Sequence, residues 1–144
     1  APIGPHAQHR TRMAVRREGR GVRDAETFYE VVSEHERFSV VRAKPRTGRT
    51  HQIRVHLAHV GCAVLCDRLY SHSSQATREE LSGLPGIEDA AQVALARQAL
   101  HASSISCQHP VTGEEMKFEA PLPPDMAEAI ECLQRRANGG ETRT

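Results

Sequence analysis

Two runs rich in β-branched and aromatic residues, ETFYEVVS at 26–33 and RFSVVRA at 37–43, constrain this chain most. Each reads as a strand, and the polar SEHE between them fits a hairpin connection. A second such pair lies near the C-terminus. Ala99–Cys107 and Met116–Ala120 read as strands, with His109-Pro110-Val111-Thr112-Gly113-Glu114 as the turn. Aromatic side chains make up only 3% of the 144 residues, with no Trp, so a core here must be built from Val, Leu, Ile and Ala.

Helices fall between and after the hairpins. Pro45–Gly48 breaks the sheet pattern, and Thr50 is placed to cap a helix running to about His59. Ile53, Leu57 and Val60 recur at helical spacing as one apolar stripe, with Arg54 off it beside His51 and Ala58. Gly61 fits the stop. Residues 71–98 read as a polar insertion with a short helix near Ile87–Arg97. Pro123-Pro124 leads into a helix from about Asp125 to Arg136, ended by Asn138-Gly139-Gly140. Residues 1–24 read as an extended, Arg- and His-rich arm. The sum is an α+β arrangement, a mixed, mainly antiparallel sheet flanked by helices and loops. Residues 1–137 are expected to form one domain or part of a larger one, with 138–144 a flexible tail.

Charge is unevenly spread. Residues 1–56 hold 12 Lys+Arg against 6 Asp+Glu, and the remainder holds 7 against 12. A basic first half suits a polyanion such as nucleic acid, the competing reading being a solvated charged face. No apolar run approaches the roughly 20 residues that span a bilayer. The opening Ala1-Pro2-Ile3-Gly4 is neither a signal peptide nor an initiating Met, so the chain is expected to start within a longer unit. Four irregularly spaced cysteines suggest small buried hydrophobes in a reducing cytoplasm rather than a disulfide framework.

The stretch Thr47-Gly48-Arg49-Thr50-His51-Gln52-Ile53-Arg54-Val55-His56-Leu57 continues as Ala58-His59-Val60-Gly61, Val64-Leu65 and Asp67-Arg68-Leu69-Tyr70. In order and spacing it resembles the signature of the RluA-type RNA pseudouridine synthases. Pro2-Ile3-Gly4 with Arg12-Met13-Ala14-Val15 resembles another family segment, and Ala25-Glu26-Thr27-Phe28-Tyr29-Glu30-Val31 resembles its tyrosine-bearing strand. Leu100-His101, His109–Gly113 and Phe118–Pro123 resemble its closing hairpin.

The resemblance implies part of the pseudouridine synthase fold and isomerisation of uridine in ribosomal or transfer RNA. A cofactor-free, metal-free site suffices for that reaction, since it is neither redox nor hydrolytic. Arg54 then matches the arginine that pairs with the catalytic aspartate, its guanidinium offering a fixed fork to a carboxylate. Tyr29 matches the tyrosine that packs on the target uracil. Leu65 corresponds to an apolar wall of the uracil pocket. Arg49 and His51, at the helix start, are placed to meet a phosphate, and Arg10, Arg12, Arg16 and Arg17 to extend a basic track. The structural alternatives are a surface ion pair for Arg54, a core ring for Tyr29 and a core Leu65.

The chain also departs from the family. The catalytic aspartate of an Arg-Leu-Asp segment is not among Asp24, Asp67, Asp89 and Asp125, which implies that the nucleophile-bearing N-terminal half is missing. Asp67 matches an aspartate outside the catalytic role. Cys62-Ala63 and Cys66 stand where His-Pro and Gly are usual, so Cys66 is strained if the turn needs positive φ. The competing functions are a non-catalytic RNA-binding relative and a metal protein using His56, His59, Cys62 and Cys66. An acyl-transfer enzyme is weaker still, because no nucleophile-elbow pattern surrounds a serine.

Overall fold

The computed structural model describes residues 1–139. Its strands pair as four antiparallel two-stranded ribbons. The first joins β1 (Ile3–Pro5) to β2 (Met13–Val15), and the second joins β3 (Thr27–Glu34) to β4 (Ser39–Pro45). Helix α1 (Gln52–His59) follows. The insertion contributes β5 (Ala76–Thr77), α2 (Arg78–Ser82) and β6 (Val93–Leu95), with β5 and β6 paired. Strands β7 (Ser104–Gln108) and β8 (Glu115–Glu119) form the last ribbon, and α3 (Pro124–Gly139) closes the described chain.

The two hairpins expected from β-branched runs are present. Val31 pairs with Val41, Arg42 bonds Glu30 across the ribbon, and a register shift follows Val31. In the β7–β8 turn the His109 ring nitrogen accepts the N–H groups of Val111 and Thr112, and Gly113 supplies the positive φ of 74°. Strand β7 starts at Ser104 rather than Ala99. Ala99 instead donates its N–H to Leu65 O, which docks this segment on the chain after α1.

Other elements differ from expectation. The arm is a hairpin, because Ile3 and Val15 face each other across β1–β2 and Ile3 is buried. The insertion's helix lies at Arg78–Ser82, not near Ile87–Arg97. A capping box starts it: Thr77 accepts the Glu80 N–H, and the Glu80 side chain accepts the Thr77 N–H. Val93–Leu95 is extended and pairs with β5. Helix α1 is capped not by Thr50 but by His51, in the left-handed region without a side-chain cap bond, while Gly61, at φ 84°, ends it as expected. α1 buries Gln52 and Val55 rather than the Ile53/Leu57/Val60 stripe, of which Val60 is exposed. Helix α3 continues past Arg136 to Gly139; the expected tail beyond that lies outside the described residues. Cys62 and Cys107 are exposed, contrary to the buried role expected, whereas Cys66 and Cys132 are buried.

Two apolar clusters result. The larger joins Cys66, Ala76, Leu81, Leu95, Ala129 and Leu133, with Phe38, Val40 and Leu65 against it. The smaller holds Ile3, Ala25 and Val55, with Met13, Val15 and Tyr70 around them. The chain between α1 and β5 touches both, since Leu65 and Cys66 enter one and Tyr70 the other.

On the last ribbon Ile105 pairs with Phe118, and Cys107 with Met116. Alternation puts these four on one face, yet Ile105 and Phe118 are exposed. Phe28, Tyr29, Val31 and Val32 are exposed on β3 as well. Two-stranded ribbons are marginal alone, and uncovered apolar faces associate. Residues 1–144 produced alone are therefore predicted to self-associate, their sedimentation coefficient rising with concentration. The double variant Ile105→Lys/Phe118→Glu, with opposite charges directly across the ribbon, should reduce that rise. A cooperative monomer at all concentrations would refute the prediction.

Candidate active site

The motif around α1 builds its own scaffold. Gln52 is 4% exposed, and both ends of its amide are used. Its Oε1 accepts the Thr47 hydroxyl at 2.7 Å and the Arg49 N–H at 3.0 Å. Its Nε2 donates to Glu26 O at 2.9 Å and Thr27 Oγ1 at 3.0 Å. Gln52 thus ties the helix start to the start of β3. His56, one turn on, adds Nδ1 to Thr27 Oγ1 at 2.9 Å and donates from Nε2 to Ala1 O at 2.7 Å. With both ring nitrogens engaged, His56 is unlike a waiting metal ligand. Among the described residues no group of three or more His, Cys, Asp or Glu is placed to hold a metal.

Thr27 faces α1, so the two-residue period of a strand puts Tyr29 on the same side of β3. Tyr29 is 59% exposed and makes no side-chain hydrogen bond among the described residues. Its ring stands largely exposed on the α1 side of the ribbon.

Arg54 projects toward the turn after the helix. Its Nε donates to Asp67 Oδ2 and its Nη2 to Asp67 Oδ1, both at 2.7 Å. The Arg54 side chain is 13% exposed and that of Asp67 0%. Burial works against the Asp67 charge, but the Arg54 hydrogen bonds and the N–H groups of Leu69 and Tyr70 outweigh it, leaving the carboxyl below its usual range. The hydrogen bonds to Asp67 raise Arg54 further, so the pair stays ionised. The Tyr70 ring lies 5.1 Å from the guanidinium carbon, close enough for a cation–π contact.

The Tyr70 hydroxyl accepts the Met13 N–H at 2.8 Å and shares a hydrogen bond of 2.9 Å with His51 Nδ1. Burial, then the Arg54 charge, lower the pKa of His51, and Asp67 offsets this in part.

Arg54 lines a cleft of about 440 Å³ with Cys66, Arg68, Arg97, Gln98 and Leu100. Arg97 is bound through two contacts, at 2.7 and 2.8 Å, to Asp125. Arg68 is exposed and unpaired among the described residues. Leu65 packs on the larger cluster, next to Cys66, which does line the cleft. Cys66 has a φ of 58°, the left-handed turn at which glycine would be free of strain; its thiol is buried and bonds Leu95 O at 3.7 Å.

A second cleft, of about 580 Å³, collects Arg17, Arg23 and Arg49 beside Glu18 and Asp24. Arg49 Nε is held by Asp24 O at 3.0 Å. Of the remaining arm arginines, Arg16 donates to Pro5 O across the β1–β2 hairpin, Arg10 is exposed and Arg12 is half-buried. His51 is turned to Tyr70 rather than outward.

Sequence reasoning missed Gln52, Tyr70 and the partnership of Asp67 with Arg54. Gln52 carried no periodic signal, and Arg54 and Asp67 are 13 positions apart across a helix end.

A sequence profile of RNA pseudouridylate synthases matches residues 2–59. Relatives named ribosomal large subunit pseudouridine synthase D are similar over nearly the whole chain. That of Vibrio vulnificus is 39% identical over 94% of this chain and 40% of its own length. That of Nitrosomonas europaea is 38% identical over 99% and 38% respectively. A solved structure, human RNA pseudouridylate synthase domain containing 4, superposes with a TM-score of 0.61 at 25% identity, over 92% of this chain and 54% of that one. The chain belongs to the RluA-type family of RNA pseudouridine synthases. It spans about two-fifths of the length of these curated relatives.

Two predictions follow from this geometry. Gln52→Ala removes all four amide contacts and strands buried partners, so it should cost about 2 kcal/mol or more in urea unfolding. A loss no larger than that of an exposed substitution would refute the clamp. Because the folded-state pKa of His51 is lowered, the unfolded chain binds a proton first as pH falls below about 6.5. Stability is then lost from that point down through the folded pKa. His51→Asn, which also tolerates the left-handed backbone, should lose less melting temperature than wild type between neutral and mildly acidic pH.

Proposed function

We propose that the protein isomerises uridine to pseudouridine in RNA, with ribosomal RNA the first substrate to test. The N1–C1′ bond breaks, the uracil turns, and a C5–C1′ bond forms. C5 loses its proton and N1 gains one, so the composition of the RNA is unchanged and no cofactor is consumed. The observation that carries this reading is Arg54: a largely enclosed, permanently charged guanidinium at a cleft, at the position of the family's carboxylate-pairing arginine.

In this reading Arg54 holds a carboxylate nucleophile ionised, and Tyr29 stacks on the flipped uracil. The arginines of the second cleft, with Arg10 and Arg12, draw the phosphate backbone. The four aspartates support a nucleophile supplied by the part of the relatives' length that this chain does not span. Asp67, Asp89 and Asp125 are ion-paired, and Asp24 lines the other cleft. Leu65 serves the uracil pocket through its neighbour Cys66. No helix among the described residues is long and apolar enough to cross a membrane. A cytoplasmic enzyme, where ribosomal RNA and free thiols coexist, is the compartment we propose.

The test is release of tritium from C5 of uridine in ribosomal RNA. Residues 1–144 alone are expected to be silent, and release is expected when the N-terminal part of the domain is supplied. Arg54→Ala should reduce release about 100-fold or more while RNA binding persists, the scale of losing one preorganised charge contact. Tyr29→Ala should also lose turnover. Binding without release under every condition would favour the non-catalytic RNA-binding relative.

A further inference from the structure

Flipping turns a nucleotide about its backbone, so the base enters a pocket while its phosphodiesters stay at the rim. Uracil and ribose are uncharged at neutral pH, whereas each phosphodiester carries one negative charge. A cleft that receives such a nucleotide gains from a cation at its mouth that no carboxylate already occupies. The cleft at Arg54 is lined by three guanidiniums, those of Arg54, Arg68 and Arg97. Arg54 is bound to the Asp67 carboxylate and is largely enclosed. Arg97 is fully engaged: Nε and Nη2 donate to Asp125, and Nη1 donates to Gln98 O and Leu100 O, both at 3.3 Å. Arg68 is exposed, and its side chain has no hydrogen bond or ion pair among the described residues. We propose that Arg68 binds a phosphodiester flanking the flipped uridine and so holds that nucleotide in the cleft.

This rests on the reading of the cleft as the uridine site and deepens it. The turn that carries Arg68 suits the task. Asp67 Oδ1 accepts the Leu69 N–H at 3.0 Å, and Asp67 O accepts the N–H groups of Tyr70 at 3.2 Å and Ser71 at 2.8 Å. The Arg68 backbone is therefore pinned by bonds that span it, and only its side chain has freedom left to lose on binding. A guanidinium can then give two N–H groups to two oxygens of one phosphate. Across the cleft stand Ala96, Gln98 and Leu100, and no Asp or Glu is among the lining residues. An anion at Arg68 thus meets no carboxylate in the cleft wall. The burial of the charges follows the same order, with Arg54 toward the floor and Arg68 at the mouth.

The experiment uses the chain with the N-terminal part of the domain supplied, and follows tritium release from ribosomal RNA over a range of salt concentrations. Arg68→Gln is expected to lower kcat/KM about tenfold, the scale of one hydrogen bond to a charged group. Its plot of log kcat/KM against log salt should be shallower by about 0.7, the share of one phosphate contact on a single strand. Arg68→Lys keeps the charge and is expected to keep the wild-type slope. Once the modified uridine is mapped in the wild-type product, an uncharged methylphosphonate replaces either flanking phosphodiester in a synthetic RNA. Wild type should lose about tenfold at one of the two positions, and Arg68→Gln should lose nothing further there. An Arg68→Gln enzyme with the wild-type salt slope overturns the proposal. So does a wild type indifferent to both methylphosphonates, or a variant whose loss adds to theirs. A lower melting temperature with an unchanged slope also overturns it, by giving Arg68 to a carboxylate of the N-terminal part. Wild-type protein without release would instead sink the underlying reading of the cleft.

Discussion

A carboxylate with no solvent exposure has to be answered within the fold, and Asp67 is answered by Arg54. Removing a carboxylate from water costs several kcal/mol unless a cation and further hydrogen bonds replace its shell. That requirement joins the end of one helix turn to the loop after α1, fixes the start of the Asp67–Ser71 turn, and brings Tyr70 under the guanidinium. Tyr70 in turn reaches β2 through the Met13 N–H and α1 through His51. Three separate stretches of chain are thus registered on one ion pair. Neither half of it can be left alone: an orphaned Asp67 would be a buried unpaired charge, and an orphaned Arg54 would lose the plane in which it is held.

The second tie is polar as well. Gln52 and His56 fasten α1 to β3 through Thr27, and so place the Tyr29 face of the ribbon relative to the helix. With aromatic residues so scarce, the two apolar clusters are built from small and aliphatic side chains and hold less area than a ring-rich core would. Directional hydrogen bonds therefore do much of the registering between elements that ridge-and-groove packing does elsewhere.

What was legible in the sequence follows from this. Hairpins β3–β4 and β7–β8 were readable because β-branched runs and turn chemistry act locally. α1 and its Gly61 stop were readable from composition and the motif. β1–β2 was not, because strands of three residues are stabilised by what they cover, here through Ile3 and Val15. The insertion misled for a related reason: the Thr77–Glu80 capping box is local, but Val93–Leu95 is extended only because β5 pairs with it. In the site, Arg54 was singled out by resemblance alone, since a place off the apolar stripe equally fits a surface ion pair. Its partner was not, since a contact across a helix end leaves no period. His51 was expected to face a phosphate, and its left-handed backbone turns the ring toward Tyr70 instead.

The charges divide into two kinds of work. Arg54 with Asp67 and Arg97 with Asp125 are neutral pairs, so among the described residues the smaller cleft carries one uncompensated guanidinium, that of Arg68. Such a cleft orients groups at short range but attracts a polyanion only weakly. The positive charge lies instead in residues 1–56, where Arg17, Arg23 and Arg49 gather around the second cleft with guanidiniums that no buried carboxylate among the described residues neutralises. Screening reaches about 8 Å at physiological ionic strength, so in the proposed reading these arginines set the encounter with RNA and its salt dependence. The enclosed pair at Arg54 is shielded from salt and governs geometry. In the proposed reading, one surface holds RNA loosely while the ion pair at the other keeps the Arg54 guanidinium in place.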